Sequence, residues 1–190
     1  MSFIFNSIAD VAVLLGLTVI TFADLFAGIF FRLAAEKGTI MSDWYKKGIK
    51  RIPVIRYFAW WIFPIIWFGI KLLVIAALYI FYQQTGLHDW YGRTCDVVTL
   101  VFIFNMALNA VWVPIFFEMR APITAFIIAL GLIATGVVIV VFFTFDNNRF
   151  NTSFWLFLWY PVWCGVAAIL NFAWIFYEYK KGSRKAVETQ

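Results

Sequence analysis

Of the 190 residues only two are cysteines, one is a histidine and 13% carry a formal charge. Each scarcity excludes something. Cys95 and Cys164 are too few for a disulfide framework or a thiolate metal cluster. The lone His88 reads as a solvated loop residue, and neither a Ser/His/Asp set nor a nucleotide loop accompanies it. So few charges cannot cover a soluble domain, whose exterior must be largely polar. No run of strict apolar–polar alternation is present, which argues against a membrane β-barrel. A basic N-terminal region and a cleavage site are missing, so the first apolar segment is expected to be retained rather than removed as a signal peptide.

What is abundant is apolar and aromatic. Hydrophobic residues make up 64% of the chain, and its 23 Phe and 10 Trp help bring the aromatic fraction to 22%. Five stretches, near 9–32, 57–82, 95–118, 122–145 and 153–177, are long enough to span. About 20 residues at ~1.5 Å rise cross a bilayer core. In lipid the backbone must satisfy its own hydrogen bonds, which makes these stretches helices. The expectation is an all-α integral membrane bundle of five transmembrane helices. It forms a single domain over 1–190, with a first loop at 33–56 and a basic tail at 178–190.

Charge sets the orientation. Twelve of the 15 Lys and Arg residues fall in the first loop and its edges, at Arg120 and in the tail, whereas Arg93 and Arg149 lie on the other side and Lys71 is inside the second span. By the positive-inside rule the first loop and the C-terminus are expected in the cytoplasm and the N-terminus outside it. The net charge of +5 then reflects topology and attraction to anionic headgroups of the lipid bilayer. Nucleic acid is not an expected partner.

Five polar side chains sit at membrane depth: Asp24, Lys71, Asn105, Asn109 and Asn171. Such groups cost a few kcal/mol each on insertion scales and turn toward a bundle interior or a cavity. Their spacing is helical. Asn105, Asn109, Trp112 and Phe116 form one stripe of the third span. Phe63, Trp67, Lys71 and Val74 form one on the second, and Tyr160, Trp163, Ala167, Leu170, Asn171 and Trp174 line a face of the fifth. Two readings compete. The asparagines are interhelical glue, worth about 0.6 kcal/mol per bond on average, or the rings and amides surround a flat apolar ligand. For Lys71 the candidate partners are Asp24 and an acidic group of a ligand. Trp44, Trp60, Trp61, Trp90, Trp155 and Trp159 lie near span boundaries and suit interfacial anchoring.

These motifs resemble the translocator protein family, also called the tryptophan-rich sensory protein or peripheral benzodiazepine receptor family. Its third-helix pattern, Leu-Asn-x-x-Trp followed by Phe-Phe and Arg, is matched by Leu108, Asn109, Trp112, Phe116, Phe117 and Arg120, and the Pro-Ile-Phe-Phe of animal members by Pro114 to Phe117. Its fifth-helix pattern is met by Tyr160, Trp163, Leu170 and Asn171, with Trp159 where Pro is usual. On the second helix "FPIIW" supplies Phe63 and Trp67, its proline displaced to Pro64. In the first loop only Trp44, Tyr45 and Pro53 match.

The resemblance, over roughly 44–178, implies a site enclosed by five helices with the first loop, including Trp44, Tyr45 and Pro53, as its lid. It implies porphyrin as ligand, protoporphyrin IX or a haem-like tetrapyrrole, with no cofactor required, and sterol as a second ligand class. Trp67, Lys71, Asn105, Asn109, Trp112, Tyr160, Trp163, Ala167, Leu170 and Asn171 are the expected ligand-binding residues. Some bacterial members break down bound porphyrin in light, and the matching tryptophans are Trp67 and Trp163. Lys71 stands where a Tyr is common, which would favour a ligand bearing a carboxylate. Phe172 replaces the Tyr of the fifth-helix sterol motif, although Leu87, Tyr91 and Arg93 fit a sterol pattern elsewhere. Alternatives to a receptor or carrier are light-dependent porphyrin breakdown, a transporter using Asp24 and Lys71, and a structural subunit docking through Ala125, Ala129 and Gly136. A homodimer is left open.

Overall fold

The computed structural model describes residues 8–23, 48, 50, 52, 62–90, 93–145 and 152–188. Among them run five helices: α1 (Ile8–Thr21), α2 (Ile62–Trp90), α3 (Arg93–Phe117), α4 (Pro122–Phe145) and α5 (Thr152–Glu188). The all-α class expected from composition holds. Within α3, α4 and α5, Val97–Phe117, Pro122–Thr144 and Thr152–Lys180 are long and apolar enough to cross a membrane. The apolar part of α2, Ile65–Phe81, is shorter. The 14 residues of α1 reach only about 21 Å against a hydrocarbon core of ~30 Å. The rest of the first expected span, from Asp24 onward, lies outside the described residues.

Helix α4 packs along both α3 and α5, α5 also packs on α2, and α1 leans on α2. The outward faces are apolar: Leu100, Phe104, Ile123, Ile127, Ile169 and Phe172 are all exposed. Water would not tolerate a continuous surface of that kind. A bilayer does, and the chain is a multi-pass integral membrane protein. Inside, by contrast, Lys71, Asn105, Asn109 and Asn171 are buried, so the polar groups gather where other helices can serve them.

Two helices outrun their expected ends. α2 continues past 82 to Trp90, which places His88 in a helix rather than a loop. α5 continues past 177 to Glu188, so most of the expected tail is helical. Hydropathy reports where a segment leaves lipid, not where its backbone stops being helical. No proline interrupts either extension, and the Lys and Arg residues at 180–185 favour the C-terminal end of a helix dipole.

The α3–α4 turn is closed by backbone bonds. Met119 N–H donates to the Pro114 carbonyl at 3.0 Å and Ala121 N–H to that of Ile115 at 3.1 Å. Arg120, at φ 55°, takes the left-handed conformation between them, and Pro122 opens α4 where a missing N–H costs nothing. Within α5, Pro161 is accommodated by Gly136 of α4, where an added Cβ would lie 3.2 Å from the Pro161 Cβ. Ala125 and Ala129 are fully buried. These three small residues serve packing within the chain, which removes them as a surface for docking a structural subunit.

Outside these five helices, Gly48, whose carbonyl accepts from Ile52 N–H at 3.2 Å, rests so closely on the indole of Trp174 that an added Cβ would overlap Trp174 Cζ2. Only glycine allows that approach. Gly48→Ala is expected to displace the ring or the loop at a cost of about 1–3 kcal/mol, read as a lower thermal midpoint in detergent.

Candidate functional site

A chain of hydrogen bonds joins α3, α4 and α5. Asn109 Nδ2 donates to the Tyr160 hydroxyl at 3.0 Å, and that hydroxyl donates to Asn105 Oδ1. Asn105 Nδ2 then donates to the Leu132 carbonyl at 3.0 Å and to Thr135 Oγ1 at 2.6 Å. Thr135 Oγ1 in turn donates to the Gly131 carbonyl, 2.7 Å away. Every partner of Asn105 sits on another helix. Its amide is therefore committed to holding the bundle together and to orienting Tyr160.

Beside Tyr160 stand the tryptophans of α2 and α5. The Trp67 ring lies 6.1 Å from that of Tyr160 and 6.4 Å from that of Trp163, tilted by 31° and 40°. Both tryptophans are half-buried. Lys71, only 3% exposed, brings its ammonium 5.4 Å from the Trp67 ring centre and 5.7 Å from that of Phe22. It donates to the Thr21 carbonyl at 2.6 Å. Thr21 is the last residue of α1, so the ammonium meets the negative end of a helix dipole. A backbone carbonyl was a partner that matching side chain to side chain does not reveal. Asp24, the other candidate, lies outside the described residues.

A second aromatic group forms where α3 meets α5. Trp112 stacks on Phe116 at 5.4 Å with 6° between the planes, and Phe116 meets the Trp174 ring edge-on at 5.6 Å. All three are buried. Along α5 the buried face continues through Tyr160, Cys164, Ala167, Asn171 and Trp174, recurring with helical spacing, while Leu170 is half-buried beside it. Trp155 and Trp159, at 56% and 59% exposed, point outward, as boundary anchors do.

The structure thus brings Trp67, Lys71, Tyr160 and Trp163 into one group and ties Asn105 and Asn109 to it through the Tyr160 hydroxyl. It sets Trp112 in the neighbouring ring stack. Trp44, Tyr45 and Pro53 lie outside the described residues. Thr135 escaped the sequence reading. The available signal was a hydroxyl in mid-span, which membrane helices routinely hide by bonding back along their own turn. Rings, amides and one ammonium are groups that bind and orient a ligand.

A family model described as the TspO/MBR family matches residues 18–177. No curated protein and no solved structure matches the chain.

Proposed function

Because the chain belongs to the TspO/MBR family, we propose that it is a membrane receptor or carrier for flat hydrophobic ligands, porphyrins foremost, held between α2 and α5. The coarser role, ligand binding or transport by a multi-pass membrane protein, comes with the family. The observation carrying the finer reading is the close approach of Trp67 to Trp163 and Tyr160. Indoles and a phenol from two helices offer π-faces to a planar macrocycle, and the Lys71 ammonium at the same rings suits an electron-rich ligand. The orientation proposed with it follows charge: first loop and C-terminus in the cytoplasm, N-terminus on the other side.

Parallel titrations of the purified chain with protoporphyrin IX, cholesterol and a long-chain fatty acid test the proposal. Protoporphyrin is expected to quench tryptophan fluorescence saturably, with neither lipid displacing it at comparable concentration. Displacement by cholesterol at equal or lower concentration would transfer the site to sterols.

A further inference from the structure

Asn105, Asn109 and Asn171 are all fully buried, yet they are not equivalent. Asn105 is bonded through both amide atoms. Asn109 uses its nitrogen on Tyr160 and leaves Oδ1 without a partner. At Asn171 neither Oδ1 nor Nδ2 has one, although the residue is 0% exposed. A primary amide carries two donors and an acceptor. Buried polar atoms in folded proteins are nearly always bonded, and an exception marks a water, ion or ligand that completes it. The side chains around Asn171 on its own helix are small on one side, Ala167 and Ala168, with the Trp174 ring on the other, all buried.

We infer that Asn171 is the hydrogen-bonding anchor for one carboxyl group of the ligand, taken in its neutral form. The acid O–H donates to Oδ1 while the acid carbonyl accepts from Nδ2, so the pair satisfies both amide atoms at once. A carboxylate at a fully buried position would need a cation beside it. Among the described residues the buried cation is Lys71, which already gives a hydrogen bond to Thr21 and faces two rings. The inference rests on the ring site proposed above. Trp163 precedes Asn171 by eight residues, roughly 12 Å along α5, within reach of an acidic side arm on a macrocycle stacked at Trp163.

The test compares acid with ester. Protoporphyrin IX and its dimethyl ester, and 2-naphthoic acid and its methyl ester, are titrated into the full chain and into Asn171→Leu and Lys71→Met variants. Ligand-free thermal midpoints are measured alongside. At a pH below the pKa of the free acids, where the neutral form predominates in solution, the wild type is expected to prefer each acid by about ten-fold or more, and the preference should fall as the pH is raised and the acids ionise. Asn171→Leu loses the preference, its affinity falling more for the acids than for the esters, and its ligand-free midpoint rises because an unpartnered amide has been removed. A preference that survives Asn171→Leu overturns the inference, as does one abolished by Lys71→Met instead. So does the absence of any preference in the wild type. A lower ligand-free midpoint for Asn171→Leu also overturns it, since the amide would then serve the fold through a resident water. If neither porphyrin binds the wild type, the porphyrin reading fails, while the naphthoate pair still decides the role of Asn171.

Discussion

Asn105→Ala is expected to destabilise the bundle by roughly 2–4 kcal/mol, the largest loss among the buried asparagines. A single hydrogen bond between membrane helices is worth only about 0.6 kcal/mol on average. Asn105, however, joins α3 to α4 through Leu132 and Thr135 and to α5 through Tyr160. Alanine removes all of these bonds together and leaves the O–H of the buried Tyr160 without its acceptor. For a chain of this length the loss corresponds to a fall in thermal midpoint of the order of 10 °C. Asn109→Leu should cost less, because one bond disappears along with an oxygen that had no partner. An equal loss at both positions, measured by thermal unfolding in detergent, would contradict the relay.

The second large effect concerns binding. Trp67→Phe/Trp163→Phe is expected to weaken protoporphyrin binding by about 10–100-fold, from the loss of two extended rings worth about 0.5–1.5 kcal/mol each beyond their area. Stability should change little by comparison, since both rings are half-buried and phenylalanine fills much of the same space. Trp155→Phe/Trp159→Phe is the control: those indoles are exposed, and their loss should leave the dissociation constant unchanged. Porphyrin absorbance and emission report binding in both variants independently of the tryptophans removed. A control variant that binds as weakly as the other would mean that the ligand rests on the outer surface.

Much of this arrangement is legible from spacing. Asn105, Asn109, Trp112 and Phe116 recur at helical intervals, and all four are buried in α3. On α5, Tyr160, Ala167, Asn171 and Trp174 behave alike. Periodicity assigns a face, and here the faces turn inward because lipid offers amides no hydrogen bonds. What spacing cannot assign is the partner across the gap. Asn105 and Asn171 look the same in the sequence, each an amide on an inward stripe, yet one is fully bonded and the other is not. That difference depends on which side chains of α4 and α5 stand opposite, a matter of helix rotation and height. Lys71 makes the same point: it donates to the Thr21 backbone carbonyl, which carries no side-chain signature. The ends of α2 and α5 were hidden for another reason. Polar residues that leave the membrane can stay helical, and hydropathy is silent on them.

The central claim is that a planar ligand lies between the indoles of α2 and α5. An experimental structure of the chain with bound protoporphyrin IX tests it most directly. The account predicts the macrocycle stacked against Trp67 and Trp163, with the Tyr160 hydroxyl still bonded to Asn105. A macrocycle lying on the outer face against Trp155 and Trp159, with Trp67 and Trp163 packed on each other as before, would contradict it.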